Sequence, residues 1–248
     1  MKIGELVSLN FESVYLAMSF LLSVYGSFLA LQLASSISKG DGKVDAPSLW
    51  GAAVALGGVA IWCMHFIGMY AHKMPFPVAY DAVLTLISLV AAVVISALAL
   101  RLSVRTDGEL SSVVMGGVIA GLGVAVMHYM GMMAMVSSVK IVWNFSIIAA
   151  SVVIAIVAAT TALWLAVKVK SGIQRIPAAI LMATAVSGMH YTGMYAATMV
   201  CTAPPDLTQG LLMGGSYVPF YVAAVAALVS AACLFVVLGK QVDEFARS

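Results

Sequence analysis

Apolar residues run in seven long blocks, near 13–34, 48–71, 80–100, 111–135, 145–167, 176–199 and 216–239. Each approaches or exceeds the roughly 20 residues that a helix needs to cross a hydrocarbon core. None alternates polar and apolar positions at period two, so the pattern predicts helices and excludes a β-barrel. Polar breaks separate the blocks: SKGDGKVDAP (38–47), HKMPFP (72–77), RLSVRTDGE (101–109), KVKSGIQR (168–175) and CTAPPD (201–206). The first block reads as a span and not a removable signal, because Glu5 and Glu12 precede it and no clean small-x-small site follows. The basic residues are divided unequally between the two sides. Lys39, Lys43, Arg101, Arg105, Lys168, Lys170, Arg175, Lys240 and Arg247 fall after blocks 1, 3, 5 and 7, against Lys2, Lys73 and Lys140 on the other side. Because basic loops stay in the cytoplasm, this predicts an outer N-terminus and a cytoplasmic C-terminus.

Composition agrees with the pattern. Of 248 residues, 63% are hydrophobic and 9% charged, against about 25% charged in soluble domains. Too little polar surface is present to cover a soluble core, which excludes a soluble enzyme, a disordered region and a nucleic-acid-binding module. The net charge of +2 implies no polyelectrolyte partner. Three cysteines are too few for a disulfide framework or zinc cluster. Cys63 and Cys201 both fall near the outer face, where pairing stays open, and Cys233 lies within the seventh block.

The blocks repeat. Blocks 2, 4 and 6 each end on one signature: Met64-His65-Phe66-Ile67-Gly68-Met69, Met127-His128-Tyr129-Met130-Gly131-Met132 and Met189-His190-Tyr191-Thr192-Gly193-Met194. Blocks 1, 3 and 5 open on an aromatic followed by an acid or amide: Phe11-Glu12, Tyr80-Asp81 and Trp143-Asn144. At a constant offset follow Ser19, Ser88 and Ser151. The unit is a helical hairpin, present three times in the same orientation about a pseudo-threefold axis along the membrane normal. The expected fold is an all-α integral membrane protein of seven transmembrane helices, with the seventh standing outside the repeat. The three signatures should then lie at one depth near the outer face.

Residues four apart share a helix face, so His65 stands with Met69, His128 with Met132 and His190 with Met194. Imidazole with thioether is a soft-to-borderline donor set that suits copper, above all Cu(I). It also suits haem, less well supported here, whereas zinc prefers thiolate or imidazole without thioether. The three histidines can converge on one ion, or each His–Met pair can hold its own. Met64, Met127 and Met189 are auxiliary candidates; Gly68, Gly131 and Gly193 permit close packing or leave room for a ligand. The alternative is that the signature is only a helix-packing device. Asp81 and Asn144 read first as helix caps, with Glu12 a weaker cap; the alternative for all three is a carboxylate or amide able to orient a ligating histidine. His72 lies in a loop, repeats nowhere and reads as solvated or interfacial.

The signatures resemble those of the MHYT domain, a bacterial integral-membrane sensor domain named for the tetrad standing intact at Met189 to Thr192. The resemblance covers roughly residues 8–202; 203–239 would be an outer loop and the seventh helix, and 240–248 a short cytoplasmic tail. It implies location in the bacterial cytoplasmic (inner) membrane, copper bound at the histidines and methionines, and sensing of a diatomic gas (oxygen, CO or NO). Phe66 departs from the pattern by lacking the hydroxyl of Tyr129 and Tyr191. Family members often continue into a cytoplasmic output domain. None is found in these residues, so a non-enzymatic sensor signalling to a separate partner is expected. A copper transporter or chaperone-like protein, or a haem-binding electron-transfer subunit, are the alternatives.

Overall fold

The computed structural model describes residues 2–38, 43–105, 109–169, 172–204 and 210–245. Lys39, Lys170 and Arg247, counted above for orientation, lie outside them, as do 246–248 of the expected tail and 205–209 of the expected outer loop.

Long helices follow the apolar blocks. They are α1 (Ser13–Ala34), α2 (Ala46–Ala71), α3 (Ala82–Arg105), α4 (Leu110–Met133), α5 (Phe145–Lys168), α6 (Gly172–Tyr195) and α7 (Val218–Phe245). Six helical segments among the described residues are long and apolar enough to cross a bilayer, making this a multi-pass membrane protein. The exception is α6, whose first turns carry Gln174, Arg175 and Pro177. Two helices outrun their apolar blocks: α3 continues past Arg101 to Arg105, and α7 past Lys240 to Phe245. Hydropathy falls at a charged residue, but backbone hydrogen bonding continues into the interface, where long basic side chains reach water. The segment from Lys240 to Phe245 is therefore helical.

The all-α expectation needs one correction. Short strands β1 (Leu6–Val7), β2 (Ala79–Asp81), β3 (Met135–Val136), β4 (Val139–Trp143), β5 (Ala197–Cys201) and β6 (Leu212–Gly214) form two three-stranded antiparallel sheets, in orders β1-β5-β4 and β3-β2-β6. They lie in the links at the signature end of the hairpins. Block 176–199 thus overran its helix: α6 stops at Tyr195, and Ala197–Cys201 pairs with Val139–Trp143. A β-branched apolar segment of five residues is equally compatible with helix end or strand, and only the partner decides.

Three equivalent hydrogen bonds close the hairpins. Glu12 N–H donates to the Ala71 carbonyl, Asp81 N–H to Ala134 and Asn144 N–H to Ala196, each at 2.8 Å. The acceptor is in every case six residues beyond the signature histidine. Helices approach closely where glycine lies between them: a methyl group at Gly26 would meet the backbone of Ala60, and one at Gly121 that of Ile156.

The threefold pattern is broken by α2 and α7. The middle of α2, Val54–Cys63, is wound as a π-helix before returning to α geometry at Met64. Its apolar window is almost wholly enclosed, whereas α7 is mostly exposed on its outer side. The seventh helix packs on α2 and covers the signature-bearing helix of the first hairpin.

Candidate metal centre

The signature histidines come from three different helices and meet on the axis. His65 Nδ1 lies 3.1 Å from His128 Nδ1 and 3.1 Å from His190 Nδ1, and the latter two are 3.2 Å apart. The rings are mutually edge-on, with centroids 5.0 Å apart in all three pairs. Each histidine is 1% exposed.

This triangle cannot be satisfied by protons alone. A hydrogen bond between two Nδ1 atoms needs one N–H and one lone pair. Three atoms of two kinds always leave one edge joining like with like, so two lone pairs or two N–H groups face each other at about 3 Å in a buried site. A cation held by His65, His128 and His190 would remove the conflict by accepting all three lone pairs. The centre of such a triangle is about 1.8 Å from each corner, a size compatible with the ~2.0 Å bonds that imidazole nitrogens make to a transition metal. The three buried histidines can therefore hold a metal ion.

Around the triangle, contacts run from each hairpin to the next. The Nε2 edge of His65 abuts Gly131, that of His128 abuts Gly193, and that of His190 abuts Gly68. A methyl group at any of these glycines would overlap the ring. These Nε2 atoms are buried and lack hydrogen-bond partners. The aromatic after each histidine follows the same direction. Phe66 packs edge-on against Tyr80, Tyr129 against Trp143, and Tyr191 against Phe11, at 5.3–5.5 Å.

The hydroxyls complete the ring. Ser19, Ser88 and Ser151 donate to the carbonyls three residues earlier, of Leu16, Thr85 and Ile148. Each oxygen is left to accept a bond. Tyr191 supplies it to Ser19 at 2.8 Å and Tyr129 to Ser151 at 2.6 Å. Phe66 cannot supply it to Ser88, and Trp62 Nε1–H does so instead, at 3.0 Å. The sequence showed these serines at a constant offset but not their partners. Trp62 was missed because it has no counterpart in the other two hairpins.

Met69, Met132 and Met194 are buried one turn beyond the histidines, and Met64, Met127 and Met189 are buried before them. Asp81 caps α3 by accepting from Leu84 N–H at 2.8 Å, and Asn144 caps α5 by accepting from Ser146 and Ile147 N–H. Glu12 makes no side-chain cap bond. The imidazoles converge in one cluster, not in three separate His–Met pairs. Nitrogens this close leave no slot for a macrocycle among them, which counts against the haem alternative at this site.

Cys63 and Cys201 are not joined: both are free and buried, Cys63 Sγ facing the Val222 carbonyl and Cys201 Sγ that of Thr202. His72 is buried, not solvated, and its Nε2 lies 3.3 Å from the Ser8 carbonyl. Burial lowers its pKa below the ordinary histidine value, a shift partly opposed by that carbonyl.

The profile of the MHYT repeat, described as a bacterial signalling protein N-terminal repeat, matches residues 58–116 and 121–179. Each matched segment begins in a signature helix and runs through the next odd helix, the direction in which the ring contacts pass. The chain is 38% identical over 193 residues to the bifunctional diguanylate cyclase/cyclic di-GMP phosphodiesterase MucR of Pseudomonas aeruginosa, covering 76% of this chain and 28% of that protein. It is 34% identical over 197 residues to the cyclic di-GMP phosphodiesterase NbdA of the same organism, covering 76% and 24%. It is 31% identical over 199 residues to the signaling protein YkoW of Bacillus subtilis, covering 77% and 25%. The chain thus spans about a quarter of the length of these curated relatives. No solved structure matches. With three signatures closed into one ring and this similarity to signalling proteins, the chain belongs to the MHYT family.

Proposed function

We propose that this chain is a seven-span, non-catalytic sensor module of the bacterial cytoplasmic membrane. In this reading it binds one copper ion at His65, His128 and His190, with the N-terminus outside and the C-terminus in the cytoplasm. The observation that carries it is the buried Nδ1 triangle, with edges of 3.1–3.2 Å. Three imidazoles alone suit several transition metals; the thioethers of Met69, Met132 and Met194 one turn away tilt the donor set towards copper. Bound copper would supply an open position for a diatomic gas such as oxygen, CO or NO.

The protein's own part is to hold the three lone pairs on one point and keep water away. It must also convert occupancy into helix movement. A signal requires that the ligand bind two helix arrangements unequally. Because each ring abuts a glycine of the next hairpin, displacement of one imidazole presses on a neighbouring helix. The relatives named as cyclic di-GMP enzymes suggest an output of that kind, through a cytoplasmic signalling partner.

Elemental analysis of detergent-purified protein tests this, comparing wild type with the His65→Ala, His128→Ala, His190→Ala triple variant. Stoichiometric copper in the wild type alone is expected. Equal metal in both, or none in either after reconstitution with Cu(I), would reduce the triangle to a packing device.

A further inference from the structure

The ring is sealed unequally. Met132 and Met194 are both 0% exposed, and strands begin within three residues of each. Met69 retains 4% exposure, and its helix runs into a loop, 72–78, before β2 begins at Ala79. This loop holds Pro75 and Pro77, which cannot donate to a sheet ladder. Beneath it lies a cavity of about 450 Å³. Met69, Met74 and Met135 line it, with Glu12, Lys73 and Ser216 also on its wall.

We propose that this cavity is the vestibule through which a soft monovalent cation, Cu(I), reaches the histidine triangle, with Met74, Met135 and Met69 as successive thioether stations. The inference rests on the copper reading above. Met69 is the link: it lines the cavity and stands one turn from His65, about 6 Å along the helix. Glu12 and Lys73 together bring no net charge to the wall, which also carries His72, so selection falls to neutral soft-to-borderline donors. Thioethers retain Cu(I) while offering little to Mg²⁺ or Ca²⁺. No redox step is needed, because the ion moves by exchange of neutral ligands. The threefold pattern requires no such cavity, and among the described residues a strand begins within three residues of the signature methionine after α4 and α6, where the first hairpin has the loop 72–78.

Transfer from a coloured Cu(I)–bicinchoninate complex to detergent-purified apoprotein gives both the rate and the final content. Three proteins are compared: wild type, Met74→Leu/Met135→Leu, and Ser216→Cys after reaction with either a small or a bulky maleimide. Leucine keeps the volume and removes the sulfur. Ser216 is exposed, whereas Cys63, Cys201 and Cys233 are buried, so the reagent is directed to position 216. The double variant should reach the same final copper content but load about tenfold more slowly. The bulky label at position 216 should slow loading relative to the same variant capped with N-methylmaleimide, in which the thiol is equally blocked, and this separates blockage from misfolding and from thiol binding of Cu(I). Loading at the same rate with either label overturns the vestibule while leaving the triangle intact. Slowing by the bulky label with a normal rate in the double variant overturns the methionine stations. A wild type that takes no copper overturns this inference together with the site it serves.

Discussion

Single residues in this protein are understood through the gap they leave or fill in the ring. Phe66 is the clearest case. At its position the other hairpins carry tyrosines that donate to Ser151 and Ser19, and Ser88 would be left without a donor if Trp62 did not supply one. A lost hydrogen bond of this kind costs about 1–3 kcal/mol when a buried acceptor is left unsatisfied. Trp62→Phe should therefore destabilise the protein by about that amount, plus the cost of lost volume. Adding Phe66→Tyr should recover part of the loss by restoring the arrangement of the other two hairpins. Thermal unfolding of the single and double variants in detergent measures this, and additivity without recovery would deny that Trp62 replaces the hydroxyl. The departure at Phe66 was legible in the sequence; its repair was not. Trp62 lies four residues before Phe66, on a π-wound turn whose facing cannot be read from a 3.6-residue period.

At the scale of helices and strands, close approach governs. Apolar helices in lipid gain little from hydrophobic burial against one another, so association depends on packing between small residues. Gly121 faces the backbone of Ile156 and Ala155 on α5 with no room for a methyl group. Gly121→Val should force α4 and α5 apart at a cost of about 2–3 kcal/mol, or more where backbone cannot yield. A lowered midpoint of thermal unfolding is the expected outcome, and an unchanged one would mean that the two helices shift freely. Helix positions were legible to within a few residues, because continuous apolarity admits no other spanning structure. The strands were not. β2 pairs with β3 at two positions and with β6 at three, and this pairing joins segments that are distant in sequence.

For the whole molecule, the decisive property is cyclic closure. Contacts pass from the first hairpin to the second, the second to the third and the third to the first, as in a ring of head-to-tail subunits. Covalent linkage makes the three copies free to differ, and they do differ in the π-wound α2 and the covering α7. The three imidazoles nonetheless stand at equal distances, so none is privileged as a ligand. His65→Ala, His128→Ala and His190→Ala should each lower metal affinity by a similar factor, measured by competition with a Cu(I) chelator. One variant that binds like wild type would show that only two histidines ligate. Sequence by itself determined the membrane class, the helices and the existence of three equivalent Met-His signatures, because apolarity and repetition are properties of order along the chain. Tertiary structure alone decided that the histidines form one cluster and not three pairs, that the cysteines remain apart, and that one hairpin opens onto a cavity. These depend on which hairpin follows which around the axis, and hydropathy is the same for any such order.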